Sequence, residues 1–191
     1  VFVQNFRPGV IERMGLGEEQ LRKVAPDLVM VSISGFGDTG PYSQRPVYDP
    51  LIQGLSGLAT VQAGADELRP QLVRTILPDK LTGVTAAQAI TAALFARERT
   101  GESQHVRLSM LDAIIAFLWS SDMGSQTFVH SEVPQQEAAS LQDLIYETTT
   151  GYITIAVQSD REWQALIRAV DRPEWAEDPR FLTARLRQEN I

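Results

Sequence analysis

Apolar and polar positions along this chain follow two rhythms, one of period two and one of about three and a half, and the switches between them predict its elements. Val1-Phe2-Val3-Gln4-Asn5 reads as the tail of a buried strand. From Pro8 to Ala25 the spacing becomes helical in two short stretches, Val10 to Met14 and Glu18 to Val24, divided by Gly15-Leu16-Gly17. Leu28 to Ser34 is short, apolar and rich in β-branched residues, which predicts a second buried strand. Strand, helix, strand is the pattern of a βαβ unit and a parallel sheet. A helix is expected from Asp49 to Leu58 with Leu51, Ile52 and Leu55 on one face. A long helix of small residues is expected to open at Leu77-Pro78-Asp79-Lys80-Leu81-Thr82-Gly83 and to dissolve in Arg97-Glu98-Arg99-Thr100-Gly101. Gln104 to Ser109 then alternates like a half-covered strand, with His105, Arg107 and Ser109 on its polar side, so His105 reads as a surface or network histidine. Ser109 to Phe128 predicts a second long helix with Leu111, Ile114, Ile115 and Leu118 at core spacing, and with Trp119 and Met123 as packing residues.

After a polar stretch from Val129 to Leu144, a new unit begins. Ile145 to Val157 predicts a hairpin turning near Gly151, and Ser159-Asp160 caps a helix carrying Trp163, Leu166, Ile167 and Val170. The expected fold class is therefore α/β, a Rossmann-like open parallel sheet with flanking helices over residues 1–135, followed by the start of a small α+β domain over residues 136–191. Both ends read as cut, so the chain is expected to be a segment of a longer protein.

Composition narrows the function classes. The chain has 191 residues, 43% of them apolar and 21% charged, which is ordinary for a globular protein with a proper core. A net charge of −7 argues against wholesale binding of nucleic acid or an anionic membrane, so any phosphate recognition must be local. The sequence has no cysteine, and its two histidines, His105 and His130, lie far apart, so no metal centre is expected. No apolar run approaches the ~18 residues of a membrane span, and the simplest compartment is the cytoplasm.

Two motifs carry candidate chemistry. Gly35-Phe36-Gly37-Asp38-Thr39-Gly40 matches the dinucleotide fingerprint G-x-G-x-x-G and follows a predicted strand. The fingerprint also needs a helix opening from its glycines, and here Pro41 to Pro46 follows instead, so a Gly/Pro loop with unusual backbone angles is the better reading. The second motif is Asp79 at the start of the long helix. Unpaired N–H groups and the macrodipole there favour an ionised carboxylate, which suits a nucleophile and equally suits a plain N-cap.

Taken in order, Asn5-Phe6-Arg7-Pro8-Gly9, Ser32-Ile33-Ser34-Gly35-Phe36-Gly37 with Gly40-Pro41-Tyr42, Tyr48-Asp49, Ser56-Gly57, Asp79, Arg97-Glu98-Arg99-Thr100-Gly101 with His105-Val106, Gly151-Tyr152-Ile153 and Arg172-Pro173-Glu174 resemble the class III coenzyme A transferases. That family includes formyl-CoA and carnitine CoA-transferases and the related α-methylacyl-CoA racemases, and the resemblance spans nearly the whole chain.

The resemblance implies an acyl-CoA:carboxylate CoA-transferase with Asp79 as nucleophile, working through an aspartyl anhydride and an aspartyl-CoA thioester. It implies coenzyme A or acyl-CoA as substrate rather than as a tightly held cofactor, with Asn5, Phe6, Arg7, Arg13, Tyr48 and Asp49 bordering it and a carboxylic acid as acceptor. Arg7 suits a phosphate because guanidinium binds phosphate bidentately. Racemases of the family carry a histidine immediately before the second-motif aspartate, where this chain has Tyr48, a poor proton shuttle at neutral pH, and transferase is favoured over racemase. A fragment that binds or dimerises without turnover is the third reading. Formyl-CoA-type members close a glycine run over the aspartate, whereas Glu137-Ala138-Ala139-Ser140 stands here. Relatives form interlinked homodimers, and the same is expected of the whole protein.

Overall fold

The computed structural model describes residues 1–64, 67–123, 144–157 and 159–190, with the side chain of residue 188 left out. The chain divides into two compact units, Val1–Gln142 and Asp143–Ile191. The boundary anticipated between residues 135 and 136 and the Glu137-to-Ser140 stretch lie outside the described residues, whereas the helix expected from Ser109 to Phe128 ends at Leu118.

In the first unit, β1 (Phe2–Gln4), β2 (Met30–Ser34) and β3 (His105–Ser109) form a parallel sheet in the order β1-β2-β3. Phe2 pairs with Met30, and Met30 in turn with His105. The middle strand is covered on both faces, and Val29, Met30 and Val31 are each at most 1% exposed. That burial is why its sequence reads as a continuous apolar run rather than an alternation. Between β1 and β2 the chain forms α1 (Val10–Arg13) and α2 (Glu18–Val24), as the glycine and proline punctuation predicts.

The segment after β2 departs from expectation in one respect. The helix expected over residues 49–58 is two, α3 (Asp49–Leu55) and α4 (Leu58–Ala63), because Gly57 adopts φ 85° and breaks the path. The buried face of α3 is also different: Asp49, Ile52 and Gln53 are buried, whereas Leu51 and Leu55 are more than half exposed. Ile52 joins Leu58 with Ile114 and Leu118 of α6 (Met110–Leu118) in the main apolar cluster. Burying each such side chain fully contributes roughly 1.5–3 kcal/mol.

α5 (Leu77–Thr100) is the longest element, about 36 Å at 1.5 Å per residue. It turns Pro78, Thr82, Ala86 and Ala93 inward and packs against α3, α6 and β3, and its small inward side chains allow that close approach. α6 begins at Ser109, whose hydroxyl accepts the Asp112 N–H, and ends at Leu118. Trp119, expected to pack, is 55% exposed, while Met123 does pack on the apolar cluster.

In the second unit, β4 (Ile145–Thr148) and β5 (Gly151–Thr154) pair antiparallel around the expected turn. α7 (Asp160–Ala169) starts with a complete capping box between Ser159 and Glu162. Behind it Trp163 stacks on Trp175 at 6.1 Å, with Phe181 5.4 Å from Trp163. Arg187 of α8 (Ala184–Glu189) lies over the Trp163 ring, donates to the Phe181 carbonyl and pairs with Asp160. A small unit with few buried aliphatics thus closes on an aromatic and guanidinium stack.

Candidate active site

All three strands run the same way, so their carboxyl ends share one edge of the sheet, where open α/β sheets bind ligands. A pocket of about 460 Å³ lies there. Asn5, Phe6, Arg7 and Pro8 follow β1 into its wall; Ser34 and Gly35 come from the end of β2, and Met110 from the end of β3. The first turns of α5 close another side with Asp79, Thr82 and Gly83, and the loop ahead of α3 adds Ser43, Arg45, Val47, Tyr48 and Asp49. Residues separated by more than seventy positions meet because β1, β2 and α5 all point their site ends to this edge.

Asp79 faces this pocket but is not the cap of its helix. The N-cap is Ile76, with no side-chain cap bond, and Asp79 is the third residue of α5. Three positions at this terminus, Leu77, Asp79 and Lys80, have their N–H groups engaged. Leu77 N–H donates to the Thr75 carbonyl at 2.9 Å, Pro78 has no N–H, and Lys80 N–H donates to the Ile76 carbonyl at 3.1 Å. Asp79 N–H donates to Oδ2 of Asp49 at 3.2 Å. The capping carboxylate therefore comes from another helix.

This arrangement also reverses the electrostatic expectation for Asp79. Its pKa is raised above the ordinary aspartate value, first by burial in the pocket wall and then by the negative charge of Asp49. The helix terminus was expected to act the other way. Asp49 outweighs it because its carboxylate sits at that terminus, neutralising the partial positive charge while adding a full negative one. Lys80 turns away, donating to Thr75 Oγ1 at 2.7 Å.

Asp49 is 4% exposed and held by two donors, the Asp79 N–H on one oxygen and Gln53 Nε2 at 2.6 Å on the other. Gln53, 2% exposed, also accepts the Val73 N–H at 2.8 Å and donates to the Thr75 carbonyl at 3.1 Å. It thereby ties the segment leading into α5 to the helix that carries Asp49. Sequence reasoning missed Gln53, and the signal available was its i,i+4 spacing from Asp49.

Arg7 and Arg45 are cations at the pocket with no carboxylate partner among the described residues; Arg45 lies over the Tyr42 ring at 4.1 Å. Arg45 was not anticipated, since a lone arginine in an aperiodic loop carries no local signal. Tyr48 is 77% exposed at the pocket mouth. Arg13 is exposed on α1 and is not part of the pocket lining. Ser34 is the one described residue with a buried side-chain oxygen lacking a partner, and it too lines the pocket. An unpaired buried hydroxyl costs about 1–3 kcal/mol, which makes it a donor or acceptor left for a ligand.

The glycine-rich loop is a turn, not a nucleotide-binding helix start. Gly37 and Gly40 take φ 81° and 86°, and the next helix begins only at Asp49. Gly35 is required for a different reason: a Cβ there would lie 1.9 Å from Val47 Cγ1. Gly35→Ala should force Val47 outward and lower stability by about 1–3 kcal/mol, read as a lower denaturant midpoint at unchanged slope. An unchanged midpoint would contradict this close approach.

The fold and site define an α/β protein of the open parallel-sheet class with an acidic side chain set in a ligand-sized pocket at the strand ends. The chain belongs to the CoA-transferase family III, whose model matches residues 1–191. It is 34% identical over 188 residues to the acetyl-CoA:oxalate CoA-transferase of Acetobacter aceti, covering 95% of this chain and 47% of that protein. It is 31% identical over 200 residues to the succinyl-CoA:glutarate CoA-transferase of Mus musculus, covering 100% of this chain and 44% of that one. The crystal structure of Rv3272 from M. tuberculosis superposes with a TM-score of 0.80 at 31% identity, over 98% of this chain and 49% of its own. A CAIB/BAIF family protein from Brucella suis gives 0.79 at 31% identity, over 98% of this chain and 50% of its own. The chain thus spans about half the length of the relatives it matches. Among the described residues no helix is long and apolar enough to cross a membrane, and no group of acidic or histidine side chains has the makings of a metal site.

Proposed function

We propose that the whole protein is an acyl-CoA:carboxylate CoA-transferase in which Asp79 is the nucleophile. The observation that carries this reading is the shared pocket, where Asp79 and the Asn5-Phe6-Arg7 turn line one cavity at the strand ends. The relatives transfer CoA between acids by name, and the chemistry of that exchange fits what the pocket offers.

In the proposed cycle, Asp79 attacks the thioester carbonyl, the C–S bond breaks, and an acyl–aspartyl anhydride and CoA thiolate result. The thiolate attacks the aspartyl carbonyl and releases the donor acid as a carboxylate, leaving an aspartyl-CoA thioester. The acceptor carboxylate repeats the sequence in reverse, and Asp79 is regenerated. No proton is gained or lost at any step, so no general base is needed. The lining matches that economy: among the described residues it contains no histidine.

Within this reading, a carboxylate made more basic by burial and by Asp49 is the stronger nucleophile in its ionised form. Arg7, without a counter-charge of its own, takes a phosphate of the coenzyme, and Asn5 and Phe6 border it. Ser34, whose buried hydroxyl has no partner of its own, supplies a neutral donor. Tyr48 lies at the mouth, while Asp49 acts through Asp79 as a positioning residue. The interlinked homodimer belongs to the same proposal and is checked by light scattering of the full-length protein.

The direct test is chemical trapping. Full-length protein incubated with an acyl-CoA and quenched with hydroxylamine should carry a hydroxamate on the peptide containing Asp79, found by mass spectrometry. A hydroxamate on another acidic peptide, with none at Asp79, would overturn the assignment.

A further inference from the structure

From the Asn5-Phe6-Arg7 turn a polar chain crosses the sheet. Phe6 N–H donates to Gln4 Oε1 at 2.8 Å, and Gln4 Nε2 lies 2.8 Å from Ser32 Oγ. Ser32 Oγ lies 2.8 Å from His105 Nε2, and His105 Nδ1 lies 2.7 Å from Glu18 Oε2. Both the middle groups are largely enclosed, Ser32 at 9% and the His105 side chain at 12% exposure.

The direction of every bond follows from its two ends. A backbone N–H can only donate, so the Gln4 atom facing Phe6 is its oxygen and the amide nitrogen must face Ser32. A carboxylate can only accept, so His105 Nδ1 carries the hydrogen given to Glu18. In the tautomer with its one hydrogen on Nδ1, Nε2 accepts the Ser32 hydroxyl hydrogen, while Ser32 Oγ accepts from Gln4. Four donors therefore point the same way, from Phe6 to Glu18, and bonds aligned head to tail polarise one another. The chain ends in a clamped anion: Glu18 also receives Arg22 Nε at 2.9 Å and Arg107 at 3.1 Å, and Arg107 pairs with Asp38 at 3.0 Å. The bond to His105, then that to Arg22, holds the Glu18 carboxyl below its ordinary pKa against the effect of burial.

Position in the fold turns this into a functional device. The chain joins α2, β3, β2 and β1 in succession and terminates on the backbone of the one residue, Phe6, that lies between Asn5 and Arg7. Its own cavity, about 190 Å³ with Gln4, Ser32, His105 and Glu18 in the lining, shares Phe6, Pro8, Ile33 and Ser34 with the larger pocket. The segment from Asn5 to Arg7 is itself exposed and belongs to no helix or strand, so little else fixes its path.

We propose that Gln4, Ser32, His105 and Glu18 are positioning residues that hold Phe6, and with it Asn5 and Arg7, in the conformation that receives the coenzyme. This rests on the reading of Asn5–Arg7 as the coenzyme border. None of the four touches substrate; they act through the Phe6 amide. Loosening the turn should weaken binding of the ground state and transition state alike, since both keep the coenzyme in place.

The test uses full-length protein with CoA as the probe and three variants, Gln4→Leu, Ser32→Ala and Arg7→Ala, each measured for CoA dissociation constant by calorimetry and for kcat and KM. Gln4→Leu is expected to raise the CoA dissociation constant and the acyl-CoA KM about fivefold to tenfold with kcat changed less than twofold. Ser32→Ala should do the same, and the double variant should be no worse than Gln4→Leu alone, because both cut one chain. A Gln4→Leu protein that binds CoA like the parent while Arg7→Ala binds it weakly overturns the relay and leaves the border intact. Unchanged binding in Arg7→Ala removes the border reading and the relay with it. Should Gln4→Leu fail to fold, Ser32→Ala decides alone by the same split: a fall in kcat at unchanged KM counts against the proposal.

Discussion

Asp79→Ala in the full-length protein is expected to abolish CoA transfer, with kcat/KM falling on the order of 10⁴-fold or more, because covalent catalysis loses its only nucleophile. Asp79→Asn should lose as much, which separates the charge and nucleophilicity of the carboxylate from its shape. CoA itself should still bind, since Arg7 and the Phe6 turn remain in the pocket lining. The folded state should tolerate both changes, because Asp79 is exposed and its side chain caps nothing. The pairing of lost turnover with retained binding is the signature to look for. Transfer at the parental rate in either variant would remove Asp79 from the mechanism.

The second large effect is expected at Asp49. Asp49→Ala leaves the Asp79 N–H without its acceptor and takes one acceptor from the buried Gln53 amide, each at about 1–3 kcal/mol, and chemical denaturation should show the loss directly. Asp49→Asn isolates the charge. Attack needs ionised Asp79, so activity falls as pH drops through the Asp79 pKa, and a raised pKa places that fall above the ordinary aspartate range near ~4. Removing the Asp49 charge takes away the second cause of the shift and leaves the first, burial. The acidic limb of the pH–rate profile should therefore move to lower pH in Asp49→Asn, toward the ordinary value without reaching it. An unmoved limb, or one displaced upward, would show that Asp49 does not act on Asp79 through its charge.

These two carboxylates show how far the chain could be read from its residues. The strand at Leu28–Ser34, the capping box at Ser159 and the glycine loop after β2 were legible because each is a local pattern: a short β-branched run, a four-residue hydrogen-bond signature, and glycines followed by proline where a helix would have to start. The break at Gly57 was harder, since the same glycine reads as a close approach within a helix or as the end of one. The inward face of α3 was misread because Leu51 and Leu55 are the more apolar candidates, while the sheet edge instead takes Asp49 and Gln53, whose polar atoms find partners in residues 73–79.

The sequence by itself determined the order of the elements, the membership in a family of CoA-transferases and the place of Asp79 at the beginning of a long small-residue helix. Those follow from periodicity, from turn chemistry and from the spacing of motifs, all of which are written along one dimension. Only the tertiary structure decided which carboxylate caps α5, why the pKa of Asp79 rises rather than falls, and that Gln4, Ser32, His105 and Glu18 form one chain from the Phe6 turn. Their partners lie 28 to 87 positions apart in the chain, and no local propensity encodes such distances. They exist because three parallel strands and one helix bring their ends to a single edge, where the pairing of every donor and acceptor is settled by packing.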